Sequence, residues 1–317
     1  MDEIRADMGD SQGVTRRDGG AIPGHDGPAF TISAPAVSRL PVVIAAPHGG
    51  RCYPSDLLAR MRHPNISTLR LEDRLVDRLA EVVARETGAA LMTAHAPRAM
   101  LDLNRADDDV DWDMLGLVAP GPAPANGRAR SGLGLVPRRL PGMGEIWRGR
   151  LSWAEVEARI EGIHRPYHTA LADLLAQERE RWGAVLLIDL HSMPPLPRIM
   201  GQESATIVVG DRFGASCHGA LVARAFSHFA GAGMLAAHNR PYAGGFALDH
   251  HAAPRRGVHA MQLEVDRAAY LDSQLIETGD GFDAMARLLS SLVFALGAQV
   301  AAMGGQRPGE AWSEAAE

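Results

Sequence analysis

The sequence predicts an α/β fold: a single-domain, mixed, mainly parallel sheet covered by helices on both faces. Three observations predict it. Short, continuously apolar runs such as Pro41–Ala46 and Ala184–Ile188 lack alternation with polar residues, the pattern of strands buried on both faces. Along the chain these runs alternate with segments of helical period, which implies crossover connections and helices on both sides of one sheet. Polar clusters arrive where apolar runs end, as at Asp189-Leu190-His191-Ser192. Open α/β sheets bind ligands at the carboxyl ends of their strands, so the edge gathering these clusters is the expected active site.

In chain order, residues 1–28 are rich in Gly and Asp, lack an apolar period and are expected to form a mobile tail. Phe30–Ala34 reads as a short strand, and Pro41–Ala46 as a buried one that runs into Pro47-His48-Gly49-Gly50. Between Glu72 and Glu86, Leu75, Val76, Leu79, Val82 and Val83 fall at helical spacing, and Gly88 closes that helix. Ala89–Ala94 is a further strand, leading to Arg98 and Asp102-Leu103-Asn104-Arg105. Residues 106–150 break the pattern with an acidic run, then many Gly, Pro and Ala. A stretch of this length is either a functional lid or a disordered insertion, which length alone does not separate. Helical period returns from Trp153 to about Arg181, with an interruption expected near Pro166. Strands follow over 184–192, 206–210, 234–237 and 259–265, with helices over 215–229 and about 281–302. A polar tail, 305–317, ends the chain.

Composition narrows the function. A formal net charge of −6 argues against a nucleic-acid partner, which needs a basic stripe. Two cysteines, Cys52 and Cys217, exclude a disulfide framework or an all-cysteine zinc module. No apolar run approaches the roughly 18–20 residues that span a bilayer, and the start lacks the pattern of a signal peptide. A cytoplasmic protein without a membrane partner is expected. There is no GxSxG elbow, no phosphate-binding P-loop and no dinucleotide-binding glycine spacing.

The remaining clusters suit a metal. A catalytic zinc takes three His or carboxylate ligands and keeps one position open. His48 and His191 each follow an apolar strand. Glu72 and Asp73 stand at the expected start of a helix, where a carboxylate also complements the helix dipole, so capping and ligation both remain open from spacing. Asp189 shares a strand face with His191, two positions on. Glu264 lies inside the apolar strand 259–265 and needs a partner there, either an arginine such as Arg267 or the site itself, as a general base. Arginine grips a carboxylate through two parallel hydrogen bonds, so Arg105 and Arg240 either hold a substrate carboxylate or make surface ion pairs. His250 and His251 read as solvated loop residues.

Taken in order, Pro47-His48-Gly49-Gly50, Leu71-Glu72-Asp73, Asp102-Leu103-Asn104-Arg105, Asp189-Leu190-His191-Ser192, Arg240-Pro241-Tyr242-Ala243-Gly244-Gly245 and Gln262-Leu263-Glu264 resemble the N-formylglutamate amidohydrolase family. That family is related to the zinc carboxypeptidases, succinylglutamate desuccinylase and aspartoacylase. The resemblance covers about residues 35–300 and implies a carboxypeptidase-like catalytic domain over 29–304. It implies one Zn2+ ion held by His48, His191 and Asp73, with Glu72 as the alternative to Asp73. Carboxypeptidases place their glutamate ligand three residues after the first histidine, where this chain has Arg51. The formylglutamate family instead has an acidic residue about twenty-five positions later, commonly an Asp, which Asp73 matches.

By the same resemblance Glu264 is the general base, Asn104 and Arg105 hold a substrate carboxylate, and Arg240 and Tyr242 are further substrate contacts. Asp189 would orient His191 or serve only as a polar group at the strand's end. The implied reaction is zinc-dependent cleavage of the amide of a small N-acyl amino acid, N-formyl-L-glutamate to formate and glutamate. The alternatives are a zinc hydrolase of another N-acyl amino acid or small peptide, and a non-catalytic metal- or ligand-binding relative.

Overall fold

The computed structural model describes residues 13–122, 127–197 and 203–305. Ten strands form among the described residues: β1 (Val14–Gly19), β2 (Phe30–Pro35), β3 (Val42–Ala46), β4 (Ala90–Ala94), β5 (Arg139–Leu140), β6 (Gly144–Glu145), β7 (Val185–Met193), β8 (Ile207–Gly210), β9 (Ala236–His238) and β10 (Val258–Asp266). Eight make one sheet in the order β1-β2-β4-β3-β7-β10-β8-β9, and β5 and β6 pair as a separate hairpin. The centre, β4-β3-β7-β10, is parallel, while β2 and β8 join it antiparallel. The sheet is therefore mixed, with its parallel strands in the middle, as the alternating pattern predicts.

Burial explains the unbroken apolar runs. Strands β3, β4, β7 and β8 are buried along their whole length, and β10 all but Asp266. On one face Val43, Ala45, Leu187 and Ala260 pack under Leu171 and Leu174 of the helix Arg165–Trp182. On the other, Ile44, Ile188, Met261 and Leu263 pack against Leu79, Leu221, Leu289 and Leu296 from three helices. Successive side chains alternate between the faces, so Asp189 and His191 on β7, and Gln262 and Glu264 on β10, continue the first face. Register sets Gln262 beside Asp189 and Glu264 beside His191.

Several expectations are corrected. The tail expected over 1–28 contains edge strand β1, and Ile22 is buried in the core; residues 1–12 lie outside the described residues, as do 306–317 of the polar tail. Exposure of β1 explains why it left no apolar signal. The described part of segment 106–150, outside which residues 123–126 lie, has a short helix, Trp112–Leu115, and the β5–β6 hairpin, and it buries Leu135, Val136, Leu140 and Trp147. The interruption near Pro166 is a π-helical turn, Ile160–His164. Proline has no N–H to return to Gly162, whose carbonyl instead accepts from Ala21 N at 2.8 Å. The helix Phe282–Met303 is long and apolar enough to cross a membrane by composition, contrary to expectation, but 56% of its most apolar window is buried inside the protein.

Candidate active site

The chain leaves β3 at Ala46 and turns at Pro47-His48-Gly49-Gly50. This turn packs tightly: a Cβ on Gly50 would lie 2.3 Å from the carbonyl oxygen of Ala96. His48 is thereby buried, and its carbonyl accepts from Asp73 N at 3.0 Å, which ties the Asp73 loop to it. That loop is not the helix start expected there. The helix Pro64–Leu71 ends before Glu72, and the next begins only at Val76, after Leu75 in the left-handed region at φ 56°. Asp73 caps neither helix.

Asp73 Oδ2 instead lies 3.0 Å from His191 Nδ1 and 3.6 Å from His48 Nδ1. The three residues offer ligand atoms within 4.8 Å of one another, all buried. Each imidazole has its other nitrogen occupied: His48 Nε2 lies 2.7 Å from Asp102 Oδ1, and His191 Nε2 lies 2.8 Å from Asp189 Oδ2. A carboxylate at Nε2 holds that nitrogen as the donor and leaves the Nδ1 lone pair for a metal. His48 Nδ1 is buried without a hydrogen-bond partner. A buried, unpartnered lone pair beside a carboxylate fits a cation. Burial opposes charge on His191, yet Asp189 and Asp73 outweigh it and push the pKa well above the usual histidine range. The carboxylates thus favour positive charge in this position, and a metal ion would displace a proton.

Glu72 faces elsewhere. Tyr53 Oη donates to its Oε1 at 2.9 Å and Arg74 Nη1 to its Oε2 at 3.1 Å. Arg267 is not the partner of Glu264: its Nε donates to Ser192 Oγ at 3.0 Å, and its Nη2 to Asp73 Oδ1 at 3.3 Å and to the Glu72 carbonyl. Glu264 accepts from Gln262 Nε2 at 2.7 Å. Burial pushes its pKa up to about 7, with His191 pulling down and Asp73 pushing up.

Asn104 is buried with its amide engaged at both ends, accepting from Ala247 N at 3.0 Å and donating to Gln262 Oε1 at 3.1 Å. Those bonds draw it into the protein's own polar network. Arg105 Nε donates to the Leu133 carbonyl at 2.8 Å and Nη1 to the Asn104 carbonyl at 2.7 Å. Tyr242 is half-buried, and its pKa is raised by burial first, then by the charges of Glu264 and Asp73. Arg240 is exposed and makes no ion pair among the described residues.

Two participants carry no role in the sequence reading. Asp102 accepts from Arg98 Nε at 3.0 Å as well as meeting His48, and the charge of Arg98 is felt at Asp73 and Glu264. An acid directly after the apolar Met100-Leu101 is the signal that could have found Asp102, since Asp189 stands in a similar context. His251 is corrected from solvated to buried: its Nε2 lies 2.9 Å from His168 Nδ1. His168 Nε2 in turn donates to the Leu103 carbonyl and His164 Nε2 to the Arg105 carbonyl, bracing the Asp102–Arg105 turn from below. His250 is exposed, as expected, and stacks on Phe246.

A buried acid beside two histidines and a carboxylate, at the carboxyl ends of parallel strands, suits hydrolysis, and this chain is an enzyme of the hydrolase class that acts on amides. The sequence profile of the N-formylglutamate amidohydrolase family matches residues 40–271. N-formylglutamate deformylase of Pseudomonas aeruginosa is 30% identical over 243 residues, 74% of this chain and 84% of the relative. That of Pseudomonas putida is 30% identical over 238 residues, covering 74% and 83%. The crystal structure of N-formylglutamate amidohydrolase from Ralstonia eutropha JMP134 superposes with a TM-score of 0.76 at 32% identity, over 87% of this chain and 98% of that one. The chain belongs to the N-formylglutamate amidohydrolase family.

Proposed function

We propose that the protein is a zinc-dependent deformylase that hydrolyses N-formyl-L-glutamate to formate and glutamate. The observation that carries the reading is the buried, unpartnered Nδ1 of His48 facing Asp73 and His191, with Glu264 in register beside His191. Substrate choice follows the relatives, which are N-formylglutamate deformylases.

His48, Asp73 and His191 would hold the ion, and Asp102 and Asp189 would fix their imidazoles. When bound there, zinc supplies Lewis acidity toward the amide carbonyl and an attacking water. Glu264 takes a proton from that water and returns it to the leaving amine as the formyl C–N bond breaks. Arg105 and Arg240 are the anchors for the two carboxylates of glutamate, and Tyr242 borders the substrate. The cation Arg98, whose charge reaches Asp73 and Glu264, adds to the positive field around a developing oxyanion.

Elemental analysis of the purified protein and formate release from N-formyl-L-glutamate test this reading. Stoichiometric zinc and preference for N-formylglutamate within a panel of N-acyl amino acids are expected. Turnover that survives complete removal of metal would sink the zinc assignment. Cleavage of another N-acyl amino acid in preference would move the substrate and leave the chemistry standing.

A further inference from the structure

We propose that Gln262 and Asn104 are positioning residues for Glu264. A polar chain starting at the Ala247 amide holds Oε1 of the carboxylate and leaves Oε2 as the oxygen that accepts the proton. The proposal rests on Glu264 being the general base.

The direction of the chain is set at one end by a group that has no alternative. The backbone N–H of Ala247 only donates, and it lies 3.0 Å from Asn104 Oδ1. The other end of the Asn104 amide is therefore Nδ2, which only donates, 3.1 Å from Gln262. Gln262 must meet it with Oε1 and so turns Nε2 toward Glu264 Oε1, 2.7 Å away. Neither amide flips without setting two donors or two acceptors against each other. A proton on Glu264 Oε1 would likewise confront the Gln262 N–H, which leaves Oε2 to receive it.

The chain is built into the fold. Asn104, Gln262 and Glu264 are 6%, 4% and 7% exposed. Gln262 and Glu264 share one face of β10, two positions apart, while Asn104 comes from the turn after Leu103 and Ala247 from the helix Phe246–His251. The approach needs a glycine: a Cβ on Gly245 would sit 2.7 Å from Asn104 Oδ1. Gln262 is the side-chain donor to Glu264 among the described residues. A buried network with each member satisfied fixes geometry, whereas a carboxylate without it would sample several rotamers.

Asn104→Asp tests the direction at nearly constant volume. Both aspartate oxygens accept, so Gln262 must turn its amide nitrogen to residue 104 and its oxygen to Glu264. A fall in kcat of at least about tenfold is expected, with KM within about twofold and metal content unchanged, the signature of lost transition-state alignment. Gln262→Met should do the same, and the double variant should lose no more than Gln262→Met alone, because Asn104 acts only through Gln262. Additive losses, or a lowered melting temperature with kcat per folded molecule intact, would overturn the proposal. A readout independent of turnover is the Gln262 side-chain amide resonance, assigned by its disappearance in Gln262→Met. It should exchange slowly with solvent and shift in Glu264→Gln; fast exchange with no shift overturns the proposal. Absence of N-formylglutamate hydrolysis by the wild type would overturn the substrate reading instead, and the amide spectrum would then decide the orientation.

Discussion

Asp102 Oδ1 lies 2.7 Å from His48 Nε2, and its Oδ2 accepts from Arg98 Nε at 3.0 Å, so a histidine and a cation share one buried acid through its two oxygens. Burial works against its ionisation, yet Arg98, Arg105 and His48 outweigh it and hold its pKa well below the carboxylate range. The acid stays charged, fixes the His48 tautomer and orients Nδ1 toward Asp73 and His191. Asp102→Asn removes the charge and keeps only one acceptor oxygen, so an amide nitrogen must face either His48 Nε2 or Arg98, a donor against a donor. Zinc affinity, measured by competition with a chelator, should fall about 10–100-fold, the usual cost of losing such a partner. Unchanged affinity would remove Asp102 from the metal site.

Glu264→Gln separates base from structural prop. Glutamine keeps the shape and still accepts from Gln262, but it takes no proton. Bound zinc and KM should persist while kcat falls about 10²–10⁴-fold, the range for lost acid–base catalysis. Turnover near wild type in a less stable protein would make Glu264 structural.

The segment 106–150 is tied to the site through its packing. Leu135 is fully buried, and its carbonyl accepts from Asp102 N at 2.8 Å. Leu135→Ala should cost about 2–5 kcal/mol in denaturant unfolding, the range for a buried leucine. A loss below about 0.5 kcal/mol, typical of surface sites, would return the segment to the removable lid or insertion that its composition suggests.

Acid should weaken the histidine brace beneath the Asp102–Arg105 turn. Burial, with repulsion from His250 and His164, pushes the His251 pKa down to about 3, and His168 is lowered by burial first and then by its histidine neighbours. A histidine that resists protonation when folded contributes its full stability above its unfolded pKa of about 6.5. That contribution is lost as pH falls from there toward the folded value, on the order of 1 kcal/mol per pH unit for one such group. His251→Gln keeps a donor for His168 Nδ1 and should flatten the decline in melting temperature between about pH 6.5 and 4. An unchanged slope would place acid sensitivity elsewhere.

What the sequence determined by itself is the sheet and the order of its polar ends. Runs such as Val42–Ala46 and Val185–Ile188 are apolar because both faces of the central strands are covered, and that cause acts on each strand alone. His48, His191 and Glu264 could be singled out because each interrupts or ends such a run. Strand β1 stayed hidden because an exposed edge needs no apolar pattern, and the 106–150 packing because scattered Leu and Trp residues have no period. Only the tertiary structure separates Glu72 from Asp73 in space, adjacent acids that diverge to Tyr53 and Arg74 on one side and to the two histidines on the other. It likewise gave Arg267 to Ser192 and Asp73, and Asn104 to Gln262. Hydrogen bonds between residues brought together from separate elements depend on how strands and loops meet, and local spacing holds no record of that meeting.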